Sequence, residues 1–225
     1  MRVLAIDTAL SNCAAAVLDD GKDTACFDSI GEEIGRGHAE RLMDMIGEVM
    51  AETSTAFSDL DRVAVTVGPG SFTGLRVGLS VARGFGLVLG KPVVGITTLA
   101  AIARSSAPRD AGGPLLVALT GKGEEVYCQE FTPFGDTIGD AAVRTLSDLA
   151  ATTSKRIRLA GSAADSVASS LGLPLEQIVS RSAFPGIREV AELGLLADPV
   201  ICTPSPLYLR PPDATPQTRG RIERQ

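Results

Sequence analysis

The stretch that decides the fold is Val63-Ala64-Val65-Thr66-Val67-Gly68-Pro69-Gly70-Ser71-Phe72-Thr73-Gly74-Leu75-Arg76-Val77-Gly78. Its apolar, β-branched beginning predicts a buried strand, and its glycines predict a tight turn that opens into a helix. Free backbone N–H groups at the start of such a helix can bind an anion. Because no Gly-Lys-Ser/Thr sequence follows the glycines, the segment is not a Walker loop. It is therefore either a phosphate-binding loop of another kind or a turn that permits tight helix packing.

The helix that follows this turn is predicted over 72–89 and carries a stripe of small residues. Gly74, Gly78, Ala82 and Gly86 are each four residues apart, so they share one face of the helix. Glycine costs up to about 1 kcal/mol per position in a helix interior, so the stripe indicates the close approach of another backbone. Apolar side chains cover much of the remaining surface, which predicts a helix that is buried in the core or under another chain.

A second helix is predicted over 38–52. Its apolar residues fall at helical spacing and form one face, which consists of Leu42, Met45, Ile46, Val49 and Met50. Three of the four methionines of the chain lie in this helix, and methionine adapts to irregular partner surfaces. The face is therefore either part of an ordinary core or part of a contact with another protein.

The order of the elements predicts an α/β fold in which one ribonuclease-H-like half is followed by a shortened second half. Strands are predicted at 2–8, 13–19, 22–29, 63–67, 92–96, 115–119, 125–131, 156–160 and 178–180. Further helices are predicted at 97–106, 146–152, 163–170 and 187–196. The Ser-, Pro- and Gly-rich segment 105–114 predicts a boundary. The expected parts are an N-terminal lobe over 1–108, a shortened lobe over 109–205, and an extended, Pro-rich polar tail over 206–225.

Composition and charge limit the classes of function. The chain of 225 residues has a net charge of −6, so tight binding of nucleic acid would need a partner that supplies basic charge. Four scattered cysteines without CxxC spacing and a single histidine argue against a zinc site and favour reduced thiols in a cytoplasmic protein. Asp7 interrupts the first apolar run, which argues against an export signal. Arg76 and Arg83 argue against a membrane anchor in the glycine-striped helix.

Several motifs together resemble one known family. The chain resembles the TsaB (YeaZ) proteins in Asp7-Thr8 after the first strand, His38-Ala39-Glu40-Arg41-Leu42 at the start of a helix, Gly68–Gly78, and Tyr208-Leu209-Arg210. The resemblance is specific over 1–100 and looser beyond. It implies two ribonuclease-H-like lobes of the ASKHA class, which includes actin, sugar kinases and heat-shock chaperones, with the second lobe shortened.

The resemblance also implies a role in making threonylcarbamoyladenosine next to the anticodon of tRNA. In that role the chain is expected to be a non-catalytic partner that binds and activates TsaD, which holds the nucleotide-like ligand, the metal and the transfer site. TsaE, an ATPase, is expected to join the pair. The chain itself is expected to bind no cofactor, since ATP and Mg²⁺ would act through its partners. It would reach tRNA only through the complex, form a homodimer when alone, and need no membrane.

Two groups of residues are the candidate sites. The expected partner interface consists of His38, Arg41, Leu42, Met45, Ile46, Val49, Gly74, Leu75, Gly78 and Ala82. A vestigial phosphate site is expected at Asp7, Thr8, Gly68, Gly70 and Ser71. No catalytic or metal-binding residue is assigned to the chain.

The alternative function is a small ATP-dependent kinase or transferase of the same fold, with a phosphate site at Asp7 and Gly68–Gly74. Thr120 weakens it, because the resemblance implies an acidic residue at this position, where a two-lobe metal site would need one. The single histidine also rules out the paired histidine ligands that the TsaD resemblance would require. No GxSxG sequence occurs, which argues against a serine hydrolase.

Overall fold

The computed structural model describes residues 1–21, 26–106 and 112–210 and contains two β-sheets. The elements of the first part are β1 (Arg2–Asp7), β2 (Asn12–Asp19), β3 (Cys26–Glu33), α1 (His38–Glu52), β4 (Arg62–Gly68), α2 (Phe72–Leu89), β5 (Val93–Thr97) and α3 (Thr98–Ser106). Those of the second part are β6 (Leu115–Thr120), β7 (Glu125–Phe131), β8 (Thr137–Thr145), α4 (Leu146–Thr152), β9 (Arg158–Ala160), α5 (Ala164–Leu171) and α6 (Ile187–Leu196). Short 3-10 turns lie at Phe57–Asp59 and Leu175–Gln177.

The first sheet has the strand order β3-β2-β1-β4-β5. Strands β1, β2 and β3 pair antiparallel, whereas β4 and β5 run parallel to β1. Helices α1 and α2 cover one face, and α6 covers the other, which explains why five of the six residues of β1 are buried. This topology confirms the ribonuclease-H-like half that the sequence predicts.

The second sheet has the strand order β8-β7-β6-β9, with β6 and β9 parallel. Helices α4 and α5 pack on one face. The other face receives Leu99 and Ile102 of α3, so α3 joins the two sheets through a shared apolar layer. Leu10, from the turn between β1 and β2, packs against the same layer.

The sequence pattern did not predict strand β8, and it predicted a strand over 178–180 that is not a full strand in the structure. β8 carries no alternating apolar pattern, and its first four residues are exposed, so period-two reasoning had no signal there. The strand predicted over 178–180 is reduced to an isolated bridge between Leu159 and Ile178. Strand β3 begins at Cys26 and runs to Glu33, beyond the end predicted at residue 29. Residues 22–25 of the predicted strand lie outside the described residues.

Helix α6 returns the chain to the first sheet. Val190 and Ala191 are buried in one cluster with residues of β1 and β4, and the guanidinium of Arg62 donates hydrogen bonds to three carbonyls at the end of α6. The predicted lobe over 109–205 therefore contributes a helix to the first sheet. The predicted boundary after 108 and the tail beyond 210 lie outside the described residues.

The glycine stripe of α2 faces the chain's own sheet. A Cβ at Gly74 would meet the carbonyl oxygen of Thr8, and a Cβ at Gly78 would lie 2.5 Å from Thr8 Oγ1. A Cβ at Gly86 would meet the side chain of Val93 in β5. The backbone whose close approach the stripe predicts is thus intramolecular. Among the described helices, α2 alone is long and apolar enough to cross a membrane, a test that core helices also pass.

Two glycine substitutions in α2 are expected to change stability in opposite directions. Gly78→Ala forces Thr8 Oγ1 to shift and should lower the free energy of unfolding by about 1–3 kcal/mol. Gly84→Ala should raise it by up to about 1 kcal/mol, because no described atom lies within 4 Å of the added Cβ and alanine favours helix. Urea unfolding of both variants measures the difference. Equal effects would contradict the packing described for the stripe.

Candidate functional site

The side chain of Thr8 connects the end of β1 to the first turns of α2. Its hydroxyl donates a hydrogen bond to the carbonyl oxygen of Gly74 at 2.7 Å and accepts one from the N–H of Gly78 at 3.1 Å. The side chain is buried, so both bonds are protected from water. They fix the helix at the sheet edge where the candidate phosphate site was expected.

Asp7 lies beside Thr8 and is completely buried. Its Oδ1 accepts hydrogen bonds from the N–H of Ala9 at 3.0 Å and from Thr66 Oγ1 at 2.7 Å. Its Oδ2 has no hydrogen-bond partner within the described residues. Burial raises the pKa of Asp7 from 3.8 to about 6, although the bonds from Ala9 and Thr66 and the nearby His38 lower it. The carboxyl group is thus held in a site that favours its neutral form.

The loop from Gly68 to Ser71 is filled by the chain itself. The N–H of Ser71 donates to the carbonyl oxygen of Ala9 at 2.7 Å, and a Cβ at Gly70 would meet the same oxygen. Ser71 Oγ accepts from the N–H of Gly74 at 3.3 Å and so caps α2. Gly68 has a φ of +112°, which favours glycine. The turn after β1 therefore occupies a donor that a phosphate would need.

The polar residues predicted at the partner interface make contacts within the chain. His38 is 8% exposed, and its Nε2 lies 3.0 Å from the carbonyl oxygen of Leu10, which ties the start of α1 to the turn after β1. The guanidinium of Arg41 forms ion pairs with Glu32 at 2.8 Å and Glu48 at 2.7 Å. These two side chains stabilise the position of α1.

The apolar residues predicted at the interface are buried in the chain's own core. This group comprises Leu42, Met45, Ile46, Val49, Gly74, Leu75, Gly78 and Ala82. Side chains without exposed surface cannot contact a partner while the fold is intact. The sides of α1 and α2 that remain exposed lie opposite these residues. A large residue at Gly78 would disturb Thr8, so such a substitution cannot test pairing with a partner.

The outer sides of α1 and α2 carry small and apolar residues. On α1 the exposed Ala39, Met43 and Gly47 are four residues apart, and Met43 is 49% exposed. On α2 the exposed Ser80, Gly84 and Val88 have the same spacing, and Val88 is 81% exposed. We call these six residues the outer stripes. A groove of about 470 Å³ lies beside them and is lined by Ala39, Phe72, Thr73, Arg76, Val77, Ser80 and Val81.

The outer stripes were not predicted from the sequence, because on α2 they lie beside the more regular stripe of Gly74, Gly78, Ala82 and Gly86. The signal that could have found them is Gly84 together with Gly47, since both fall outside the four-residue series of the buried faces. In the described part of the chain, nothing lies within 4 Å of a Cβ built at either glycine. Packing against the described residues therefore does not require glycine at either position.

The segment 202–210, which we call the strap, crosses the carboxyl end of the first sheet. The N–H of Leu207 donates to the carbonyl oxygen of Val67 at 2.7 Å. The guanidinium of Arg83 donates to the carbonyl oxygen of Pro204 at 2.6 Å. Arg76 lies 3.7 Å above the ring of Phe72, beside Tyr208. The motif Tyr208-Leu209-Arg210 thus helps to hold the start of α2, and Arg210 forms an ion pair with Glu125 of β7 at 3.4 Å.

Thr120, where a two-lobe metal site would need an acidic residue, is the last residue of β6. Its N–H and hydroxyl lie 3.0 and 3.3 Å from Ser162 Oγ, so its polar partner is a neutral hydroxyl and not a carboxylate. No group of three His, Cys, Asp or Glu side chains in the described ranges could hold a metal ion. The expectation that the chain binds no metal stays a prediction.

Comparison with known sequences identifies related proteins. The sequence model described as TsaD: tRNA N6-adenosine threonylcarbamoyltransferase matches residues 30–184. The tRNA threonylcarbamoyladenosine biosynthesis protein TsaB of Escherichia coli is 34% identical over 131 residues, 58% of this chain and 55% of that protein. An uncharacterised protein of Mycobacterium bovis is 33% identical over 217 residues, 95% of this chain and 94% of that protein. The chain thus spans about half the length of the Escherichia coli relative and nearly all of the mycobacterial one.

Solved structures share the whole architecture. YeaZ from Pseudomonas aeruginosa has a TM-score of 0.75 and 25% sequence identity, with 92% of this chain and 99% of that chain covered. A second Pseudomonas aeruginosa structure, described as similar to peptidase YEAZ, also has a TM-score of 0.75, at 26% identity. With the strand orders above, these similarities confirm the fold of the ASKHA class.

Asp7→Asn is expected to remove a pH dependence of stability. The folded-state pKa lies above the ordinary value, so the contribution of Asp7 is fully present below pH 3.8 and is lost as the pH rises through about 6. The difference corresponds to at most about 3 kcal/mol. Urea unfolding between pH 4 and pH 8 should therefore show that the advantage of Asp7→Asn over the parent grows with pH. The matched control is Asp44→Asn, which removes an exposed carboxylate. Parallel curves for Asp7→Asn and the parent would contradict the assignment.

Proposed function

The chain belongs to the tRNA N6-adenosine threonylcarbamoyltransferase family, within its TsaB (YeaZ) branch, and we propose that it is the non-catalytic partner that binds and activates TsaD. The observation that carries this proposal is the pair of exposed helical glycines, Gly47 and Gly84. Each costs up to about 1 kcal/mol relative to alanine, and neither cost is offset by packing within the chain. Close approach of another helix would offset both.

The family relationship suggests which chain supplies that helix. A sequence model of TsaD matches this chain, so the two proteins share elements of one fold. Two related chains can pair through equivalent surfaces about a pseudo-twofold axis, as identical subunits do about an exact one. The outer stripes of α1 and α2 would then pack against the equivalent helices of TsaD. Ser80 and Gly84 would let the backbones approach closely, and Met43 would adapt to the partner surface.

The contacts within the candidate phosphate site favour a non-catalytic role of this chain over a catalytic one. The N–H of Ser71 is bonded to Ala9, and Oδ1 of the buried Asp7 accepts hydrogen bonds from Ala9 and Thr66. ATP and Mg²⁺ would accordingly act through the partner proteins. The alternative of a small ATP-dependent kinase or transferase rests on Asp7 and the loop Gly68–Gly74, and it has the weaker support because the loop is filled by the chain itself.

The remaining parts of the proposal follow from the same assignment. TsaE would join the pair, and tRNA would be modified by the assembled complex in the cytoplasm. Without TsaD, the outer stripes would be free to pair with a second copy of the chain, which gives a homodimer. The apolar side chains Leu87 and Val88, 86% and 81% exposed, would be covered in either assembly.

Gly84→Leu tests the proposed contact. The substitution fills open space, so the isolated chain should fold and unfold like the parent, whereas a partner helix could no longer approach. We expect co-purification with TsaD to fall at least tenfold and threonylcarbamoyladenosine formation in a reconstituted mixture to fall with it. The matched control is Ser166→Leu, an exposed site on α5, which should change neither measurement. Unchanged pairing by a folded Gly84→Leu variant would overturn the interface. Modification that proceeds equally well without the chain would overturn the function.

A further inference from the structure

A cavity of about 350 Å³ lies beside the edge strand β9, far along the chain from the outer stripes. It is lined by Gly112, Gly113, Arg156, Ile157, Arg158 and Gln177. Its volume is within the range of about 300–1,000 Å³ that is typical of ligand sites. With Lys155, three of the four residues 155–158 carry a positive charge, in a chain whose net charge is −6. The cavity is thus a local concentration of cations on an acidic protein.

The guanidinium of Arg158 has unused hydrogen-bond donors. Its Nε and Nη1 are buried and have no partner among the residues that the structure describes, and its Nη2 makes one long bond of 3.4 Å to the carbonyl oxygen of Gly113. Burial lowers the pKa of Arg158, and no carboxylate opposes that shift. A partly buried guanidinium without a counter-charge is costly. A bound anion would remove that cost.

The neighbouring cations are also without an acidic partner in the described ranges. Arg2, Arg41, Arg104, Arg181 and Arg210 each form an ion pair with an Asp or Glu side chain. Within the described ranges, no such pair involves Lys155, Arg156 or Arg158. Arg156 lines the cavity and is exposed, as is its neighbour Lys155, and Glu176, the residue before Gln177, is exposed as well. An anion would therefore find three cations and little local repulsion.

Gln177 adds an acceptor to this set of donors. Its Nε2 donates to the carbonyl oxygen of Lys155 at 3.3 Å, whereas its Oε1 is buried and lacks a partner in the described structure. A backbone phosphodiester offers no donor to this oxygen. A ribose 2′-hydroxyl next to a phosphate does, and that hydroxyl distinguishes RNA from DNA.

We propose that this cavity binds one backbone phosphate of RNA through Arg158 and Arg156, with Gln177 Oε1 accepting a hydrogen bond from a ribose 2′-hydroxyl. The inference rests on the proposed role in tRNA modification, which supplies an RNA that the complex must hold. One phosphate site does not make the acidic chain an RNA-binding protein by itself. It gives the complex a point of contact on this subunit, apart from the surface proposed for TsaD.

Nuclear magnetic resonance of the arginine Nε–H groups tests the proposal on the whole chain. Arg158→Lys identifies the Arg158 signal, and an unmodified tRNA transcript, DNA of the same sequence and inorganic phosphate are titrated at constant low salt. We expect the transcript to shift the Arg158 signal at lower concentration than the other two probes. Arg156→Gln should weaken this response roughly tenfold, because loss of one phosphate contact lowers affinity and reduces the salt dependence by about one ion. The matched control Arg181→Gln removes a cation that Asp165 already neutralises and should leave the response unchanged.

The outcomes separate this proposal from the proposed function. No shift at Arg158, or an equal response to RNA and DNA, would overturn the RNA site. Saturation by inorganic phosphate without competition from tRNA would also overturn it, because the ligand would then be a free phosphate compound. The proposed pairing with TsaD is tested at Gly84 by co-purification. That measurement is independent of the results at Arg158.

Discussion

The hydroxyl of Thr8 is the contact on which the rest of the structure depends. It binds the carbonyl of Gly74 and the N–H of Gly78, and so fixes the start of α2 against the end of β1. The helix can come this close only because neither position carries a Cβ. From that position α2 closes the loop Gly68–Ser71 over Ala9, and it holds the strap through Arg83. The anchoring of one helix thereby fixes the loop, the strap and the exposed outer side.

This anchoring also explains how a phosphate-loop sequence is compatible with a role in assembly. Strand, glycine turn and helix have the order found in anion-binding sites, but the N–H of Ser71 binds Ala9, and the buried Asp7 accepts hydrogen bonds from Ala9 and Thr66. The outer stripe of α2, which consists of Ser80, Gly84 and Val88, is small or apolar. Under the proposed function, the chemistry of the family takes place on another subunit, and this chain supplies a surface that positions it.

The sequence predicted the helices more completely than their orientation. The bounds of α1 and α2 agree with the prediction at every residue, because their apolar residues repeat at helical spacing. The sequence could not predict in the same way whether a helix face packs inside the chain or against a partner, because a stripe of small residues suits a partner helix and an internal strand equally well. The exposed β8 gave no periodic signal. The return of α6 to the first sheet and the unpartnered donors of Arg158 depend on contacts between residues far apart in the chain.

Calorimetric titration of the isolated chain with ATP and Mg²⁺ tests the central claim most directly. If the loop after β4 is occupied by the turn that contains Ala9, the titration should show no binding that depends on Asp7. Parent and Asp7→Ala should then give the same heats. Tight binding by the parent that is lost in a folded Asp7→Ala variant would contradict the account, because the loop would then be a working nucleotide site.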